Sequence, residues 1–213
     1  MPLLNQVPIV LASASPRRRE LLASSGYRFE VCPPSEDGED ARRYEETAAE
    51  YVARLARQKA EEIVSRFVGT HASGGATHAA DRAKIVVACD TVAVCDGEIL
   101  GKPSDVDDAR RMLARLSGAE HEVYSGLCLW PLDGRQPFIS AERTLLTMDT
   151  LSDDQLDEYL ASGAWQGKAG AFGYQDRLGW VHIVEGSETN VVGLPIELLA
   201  EMLAEFDKPT QPK

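Results

Sequence analysis

The stretch IVVACDTVAVCDGEILGKP, Ile85 to Pro103, decides the fold. Its first part, Ile85 to Val94, is apolar at nearly every position, with none of the alternation expected of a strand wetted on one face. Such a run reads as a strand buried on both faces. Asp96-Gly97 then supplies a turn pair, and a short return strand ends at Lys102-Pro103. Inside the apolar run sits one acid, Asp90. A carboxylate there must be paired, hydrogen-bonded or bound to a metal, because burying it alone costs several kcal/mol, on the order of a lost ion solvation shell. One reading is an acid that caps a loop or pairs with an arginine. The other is a metal ligand or general base at a strand end, where open α/β sheets place such residues.

Upstream, Val7 to Ala12 reads as a short buried strand that runs into Ser15-Pro16 and a helix stopped at Gly26. Arg17, Arg18 and Arg19 then crowd the positive end of a helix dipole. Cations there are disfavoured unless an anion docks on the helix start. Residues 27–44 read as irregular and acidic. Glu45 to Phe67 has helical periodicity, with Lys59 on the stripe of Leu55 and Ile63, either snorkelling outward or reaching across a cleft to an anion. Gly69 to Lys84 reads as a surface insertion whose histidines, His71 and His78, carry no chemistry.

Downstream, Ser104 to Gly118 reads as a helix capped by Ser104, with Val106, Ala109, Leu113 and Leu116 toward the core. His121 to Trp130 and Phe138 to Met148 read as strands. Ser152 opens a helix through a capping box with Gln155. Gly167 to Gly179 is a glycine-rich loop carrying Lys168 and Gln175, suited to close approach by a phosphate or a base edge. Trp180 to Val184 reads as a strand and Pro195 to Phe206 as a closing helix, followed by a frayed tail, 207–213. Strands and helices alternate without internal repeats, so an α/β protein with a mixed sheet follows.

The 213 residues suit a single domain. Four cysteines without CxxC spacing read as free thiols, and the formal charge of −12 argues against polynucleotide binding. A small anionic ligand remains compatible, provided that the few cations gather in one place and a metal helps. No GxxxxGK[ST] loop and no Ser-His-Asp set is present. The absence of a basic leader or membrane-length apolar run leads to the expectation of a cytoplasmic protein.

In order, LASASPRRRELL (Leu11–Leu22), ARQKA (Ala56–Ala60), CDTVAVCDGEILGKP (Cys89–Pro103), LSG (Leu116–Gly118), GKAGAFGYQ (Gly167–Gln175) and VVGLPIELL (Val191–Leu199) closely resemble the Maf family, the septum-formation-inhibitor-like nucleotide pyrophosphatases. The resemblance implies two α/β lobes around a central cleft, similar to the inosine triphosphate pyrophosphatases. It also implies hydrolysis of a nucleoside triphosphate to the monophosphate and pyrophosphate with a divalent cation, Mg²⁺ or Mn²⁺. On this resemblance Asp90 is the proton acceptor, and Ser13, Ser15, Arg18, Lys59, Lys102 and Lys168 bind the nucleotide and its phosphates. Arg17, Thr91 and Gln175 select the substrate, and Asp90 with Glu36 or Asp37 holds the metal.

The Asp-Thr pair with the GKAGAFGYQ loop resembles the branch acting on dTTP and UTP. Cys89 in place of alanine, the Glu36-Asp37 order and Asp176 in place of glycine depart from the family pattern. The alternatives are a house-cleaning enzyme for modified or purine triphosphates and a nucleotide-binding regulator of cell division. A homodimer is the expected assembly, with no polynucleotide or membrane partner.

Overall fold

In the computed structural model, which describes residues 8–35, 41–72, 85–176 and 178–206, the apolar run forms β3, Ile85–Cys95, and every residue in it except Thr91 is buried. β5 (Glu120–Pro131) lies antiparallel along one edge of β3, from Ile85↔Pro131 to Val94↔Glu122. The other edge is shared. β1 (Ile9–Ala12) runs parallel to β3 as far as Ala12↔Ala88. The hairpin partner β4 (Glu98–Leu100) pairs only from Ala93↔Leu100 onward. Among the described residues, Cys89 to Val92 therefore have no ladder partner on that edge, and the sheet splits there. β2 (Phe29–Val31) adds in parallel outside β1. β6 (Phe138–Met148) and β7 (Val181–Glu185) continue the sheet antiparallel beyond β5.

Helix α2 (Ala48–Ala72) covers one face of the sheet. It comes so close to β5 that a Cβ on Gly126, the partner of Asp90, would lie 2.2 Å from the Val52 backbone. Glycine is required there by contact alone. The opposite face carries two separate cores. One packs Ile85, Val87 and Cys89 with Leu22 of α1 (Pro16–Ser24) and with Leu199 and Leu203 at the C-terminal end. The other packs Ala93 and Cys95 with Leu113 of α3 (Val106–Leu116), and with Tyr159 and Leu160 of α4 (Asp153–Ala161). These are the two lobes, joined by the long strands and by α2, and the cleft opens between them where β3 loses its edge partner. Strand β3 thus belongs to both lobes.

Several boundaries move from the sequence expectation. β2 lies in the stretch read as irregular, and a short helix, α5 (Glu188–Val192), precedes α6 (Ile196–Phe206). α2 continues through residues 69–72, the first part of the expected insertion; the rest of it, 73–84, and the tail 207–213 lie outside the described residues. Asp105 caps α3 instead of Ser104, its side chain accepting from the Asp108 N–H at 2.8 Å. That frame turns Val106 outward, where it is 47% exposed. The Ser152–Gln155 capping box is present, and all four cysteines are free. Among the described residues, no helix is long and apolar enough to cross a membrane.

Candidate active site

The side-chain alternation of β3 sends Asp90 and Thr91 to opposite faces at the open edge. Asp90 is 5% exposed and lies on the face covered by α2, where the Lys59 ammonium donates to its Oδ1. Of the two readings of Lys59, reaching inward is the one observed, and its partner is Asp90. Thr91 faces the other way. Its hydroxyl lies 2.8 Å from Ser125 Oγ on β5 and accepts from Arg18 Nη2 at 3.1 Å.

The loop from β1 to α1 brings the second group of residues to the split. Ser13 Oγ accepts from the Ser15 N–H at 3.1 Å, and Ser15 caps α1 with Pro16 in its first turn. Arg18 spans the cleft floor, donating from Nε to the Gly193 carbonyl at 2.8 Å and from Nη1 to Ser13 Oγ at 3.4 Å. Three of its five N–H donors are thus directed to protein acceptors, so Arg18 fixes α1, β3 and the end of α5 relative to one another while keeping donors for an anion. Arg17 donates to the Gly167 carbonyl at 2.9 Å on the far lobe. Burial and the charge of Arg18 pull its pKa down, opposed by Asp176. Arg19 is exposed.

From the second lobe, the loop after α4 folds into two short 3-10 turns, Ala169–Ala171 and Tyr174–Asp176. Gly173 between them leaves room for two functional side chains, since a Cβ there would lie 2.7 Å from both Gln175 Nε2 and Lys168 Nζ. Lys168 donates to Asp176 at 2.6 Å, and Asp176 also accepts from the Tyr159 hydroxyl at 2.8 Å. The acid that departs from the family pattern therefore holds a lysine of the pocket.

A cleft of about 1170 Å³ joins these groups. Ser13, Ser15, Arg17, Arg18, Lys59, Asp90, Thr91, Lys102, Lys168 and Gln175 all line it, so the sequence-derived set converges on one place. Glu36 and Asp37 lie outside the described residues. The chain carries a net charge of −12, yet the described lining holds six cations, Arg17, Arg18, Arg42, Lys59, Lys102 and Lys168, against two acids, Glu62 and Asp90. A positive cleft on an acidic protein suits a small, highly charged anion, and the α1 N-terminus adds its dipole.

A divalent ion fits the donor chemistry here. Mg²⁺ is commonly held by one or two carboxylates together with substrate phosphates. Asp90 meets that description, whereas no cluster of three or more ligating side chains is present among the described residues. Sequence reasoning missed His121, which lines the cleft and is 6% exposed. It also missed Ser125 and Asn190, which extend the Thr91 contact into the core through Ser125 Oγ donating to the Asn190 carbonyl. No motif surrounds these positions, and their partners lie far off in sequence.

A family model described as Maf-like protein matches residues 8–206. Among curated relatives, a dTTP/UTP pyrophosphatase of Rhodopirellula baltica is 46% identical over 205 residues, covering 96% of this chain and 84% of its own. One of Agathobacter rectalis is 42% identical, covering 92% and 95%, and one of Myxococcus xanthus is 42% identical, covering 90% and 89%. The crystal structure of a Vibrio cholerae protein, VC0702, is 13% identical over 75% of this chain and 74% of that one, at a TM-score of 0.34. With the motifs converging on one cleft and the family model spanning both lobes, the chain belongs to the Maf family.

Proposed function

We propose that this protein is a nucleoside triphosphate pyrophosphatase acting on dTTP and UTP, releasing the monophosphate and pyrophosphate. The observation that carries this reading is the split edge of β3, which sets Asp90 with Lys59 on one side and Thr91 with Arg18 on the other, inside a cationic cleft. The relatives named dTTP/UTP pyrophosphatases support the substrate class. In this reading the triphosphate lies along the α1 N-terminus, with the α-phosphorus at the open edge of β3.

Asp90 accepts the proton of a water that attacks the α-phosphorus. An oxygen–phosphorus bond forms there as the bridge to the β-phosphorus breaks. Lys59 compensates the buried carboxylate, and Arg18 and Lys102 neutralise the departing pyrophosphate. A divalent cation bound by Asp90 and the phosphates would supply further charge neutralisation and polarise the reacting phosphoryl group. Thr91, Gln175 and Arg17 border the nucleoside. A cytoplasmic location and a homodimeric assembly complete the proposal, with neither polynucleotide nor membrane as partner.

The test is a panel of nucleoside triphosphates incubated with the pure protein and Mg²⁺ or Mn²⁺, with pyrophosphate and monophosphate both measured. Equal release of the two products, fastest from dTTP and UTP, is expected. Release of orthophosphate instead, or of nothing from any triphosphate, contradicts it.

A further inference from the structure

Lys168, Asp176 and Tyr159 form a group that the proposed reaction does not use. Lys168 lines the cleft, whereas Asp176 stands behind it. The ammonium donates to both carboxylate oxygens of Asp176, at 2.6 Å to Oδ1, and the two side chains are only 11% and 19% exposed. The Tyr159 hydroxyl donates to Asp176 Oδ2 at 2.8 Å, and its buried ring packs against Phe172 and Trp180 in the core of the second lobe. Burial, and after it the bond to Asp176, push the phenol pKa up, so this donor keeps its proton. One carboxylate thus ties a lysine of the cleft wall to a fixed point in the core.

The tie joins the two ends of the loop next to two residues of the selectivity set. Asp176 directly follows Gln175, and Lys168 directly follows Gly167, whose carbonyl accepts from Arg17 across the cleft. Burial and Arg18 pull the Arg17 pKa down, and Asp176 is the first group to oppose them, so its charge reaches Arg17 as well. Lys168 Nζ and Gln175 Nε2 each lie 2.7 Å from the point where Gly173 would carry a Cβ, which makes the ammonium and the amide neighbours. Between the tied ends, Ala171 is buried in the left-handed region at φ 61°. A residue with a Cβ holds that conformation only where its surroundings enforce it. The ion pair enforces it here, together with the Gly170 N–H on the Gly101 carbonyl at 3.0 Å.

Building on the proposed pyrophosphatase reading, we infer that Asp176 is a positioning residue: it ties Lys168 to Tyr159 and so fixes the loop on which Gln175 and the Arg17 contact stand, and with them the preference among nucleotides. Lys168, its charge balanced from behind, then acts through the loop and not as a phosphate ligand. The two alternatives differ in what they control. A phosphate ligand strengthens every triphosphate alike, whereas a loop tie governs the difference between them.

The experiment measures the binding of non-hydrolysable analogues of dTTP and dCTP by calorimetry on the full chain. The native protein is expected to prefer the dTTP analogue by about tenfold or more. Asp176→Ala and Lys168→Met are each expected to cut that preference by about fivefold or more. The double variant should lose no more than either single one, since the same contact is removed in all three. Lys168→Arg, which can pair the same carboxylate, is expected to keep most of the preference. Thermal unfolding of each variant confirms that it is folded.

A native protein that binds the two analogues equally, a folded Asp176→Ala that keeps the full preference, or losses that add in the double variant overturns the inference. So does a Lys168→Met that weakens both analogues alike with the preference intact, the mark of a phosphate ligand. Binding is read without turnover. Failure to release pyrophosphate would therefore refute the proposed activity and leave this comparison standing.

Discussion

Lys59, from the middle of α2, donates to Asp90 Oδ1 at the point where β3 has lost one strand partner and has not yet gained the next. The helix that covers the sheet thereby supplies the counter-charge for the only acid in the apolar run. Their side chains are 18% and 7% exposed, so the pair is largely removed from water.

Removing one partner of such a pair strands the other charge. Lys59→Met is expected to destabilise the fold by about 3 kcal/mol, the lower end for a broken buried pair because Lys59 keeps some solvent contact. In a double-mutant cycle by urea unfolding, adding Asp90→Asn should cost less than the two single losses combined. Simple additivity would mean that the two residues do not depend on each other.

Two glycines should separate folding from function. Gly126→Ala drives a Cβ into the Val52 backbone at 2.2 Å, and rigid atoms on both sides leave no cheap relief. A loss of about 3 kcal/mol or more is expected, seen as a lowered denaturant midpoint. Gly173→Ala meets only the mobile ends of Gln175 and Lys168. Its stability should stay within about 1 kcal/mol of native, while its preference among triphosphates shifts because Gln175 is displaced. A Gly173→Ala variant with unchanged substrate preference would count against Gln175 as a base-reading residue.

The three arginines of α1 should behave differently. Arg18→Lys cannot reproduce the fan of contacts to Ser13, Thr91 and Gly193. A drop in kcat/KM of about 100-fold is expected, as for the loss of a fixed charge-stabilising donor. Arg19→Ala, exposed and outside the cleft lining, should leave kcat/KM within about twofold and stability within about 0.5 kcal/mol. Equal effects of the two substitutions would remove the distinction drawn here.

Stability should carry an acid-side signature from the start of α2. Arg54 bonds both oxygens of Glu46, at 2.6 and 2.8 Å, and holds its carboxyl down at about 2 against an ordinary value of 4.5. A depressed carboxylate stabilises the fold fully above its ordinary value and loses that contribution as the pH falls through the folded one. Glu46→Gln should therefore melt about 2–4 °C below native at pH 6. The gap should narrow below pH 4.5 and close near pH 2. A gap constant across this range would show that the pair contributes nothing through its charge.

Strand β3 was legible because eight apolar positions in a run of ten leave few alternatives, and α1 because Ser15-Pro16 is a strong start and Gly26 a strong stop. β2 was not, since three residues at a sheet edge, only one of them shielded, carry no periodicity of their own and are held by pairing with β1. The frame of α3 was misread by one position because Ser104 and Asp105 both suit a cap, and only the bond to the Asp108 N–H decides between them. At the site, the residue types were readable from the motifs, but not their pairing: Lys59 and Asp90 are thirty-one positions apart. His121 escaped notice because no motif surrounds it, and only the fold brings it to the cleft.

The central claim is that Asp90 at the split edge of β3 serves as the proton acceptor for cleavage at the α-phosphorus. The most direct measurement is pyrophosphate release from dTTP by Asp90→Asn, an isosteric change, against the native chain at saturating nucleotide and equal Mg²⁺. A fall in kcat of at least about 100-fold, with nucleotide binding retained, is the predicted result. An Asp90→Asn variant that keeps native kcat would contradict the account.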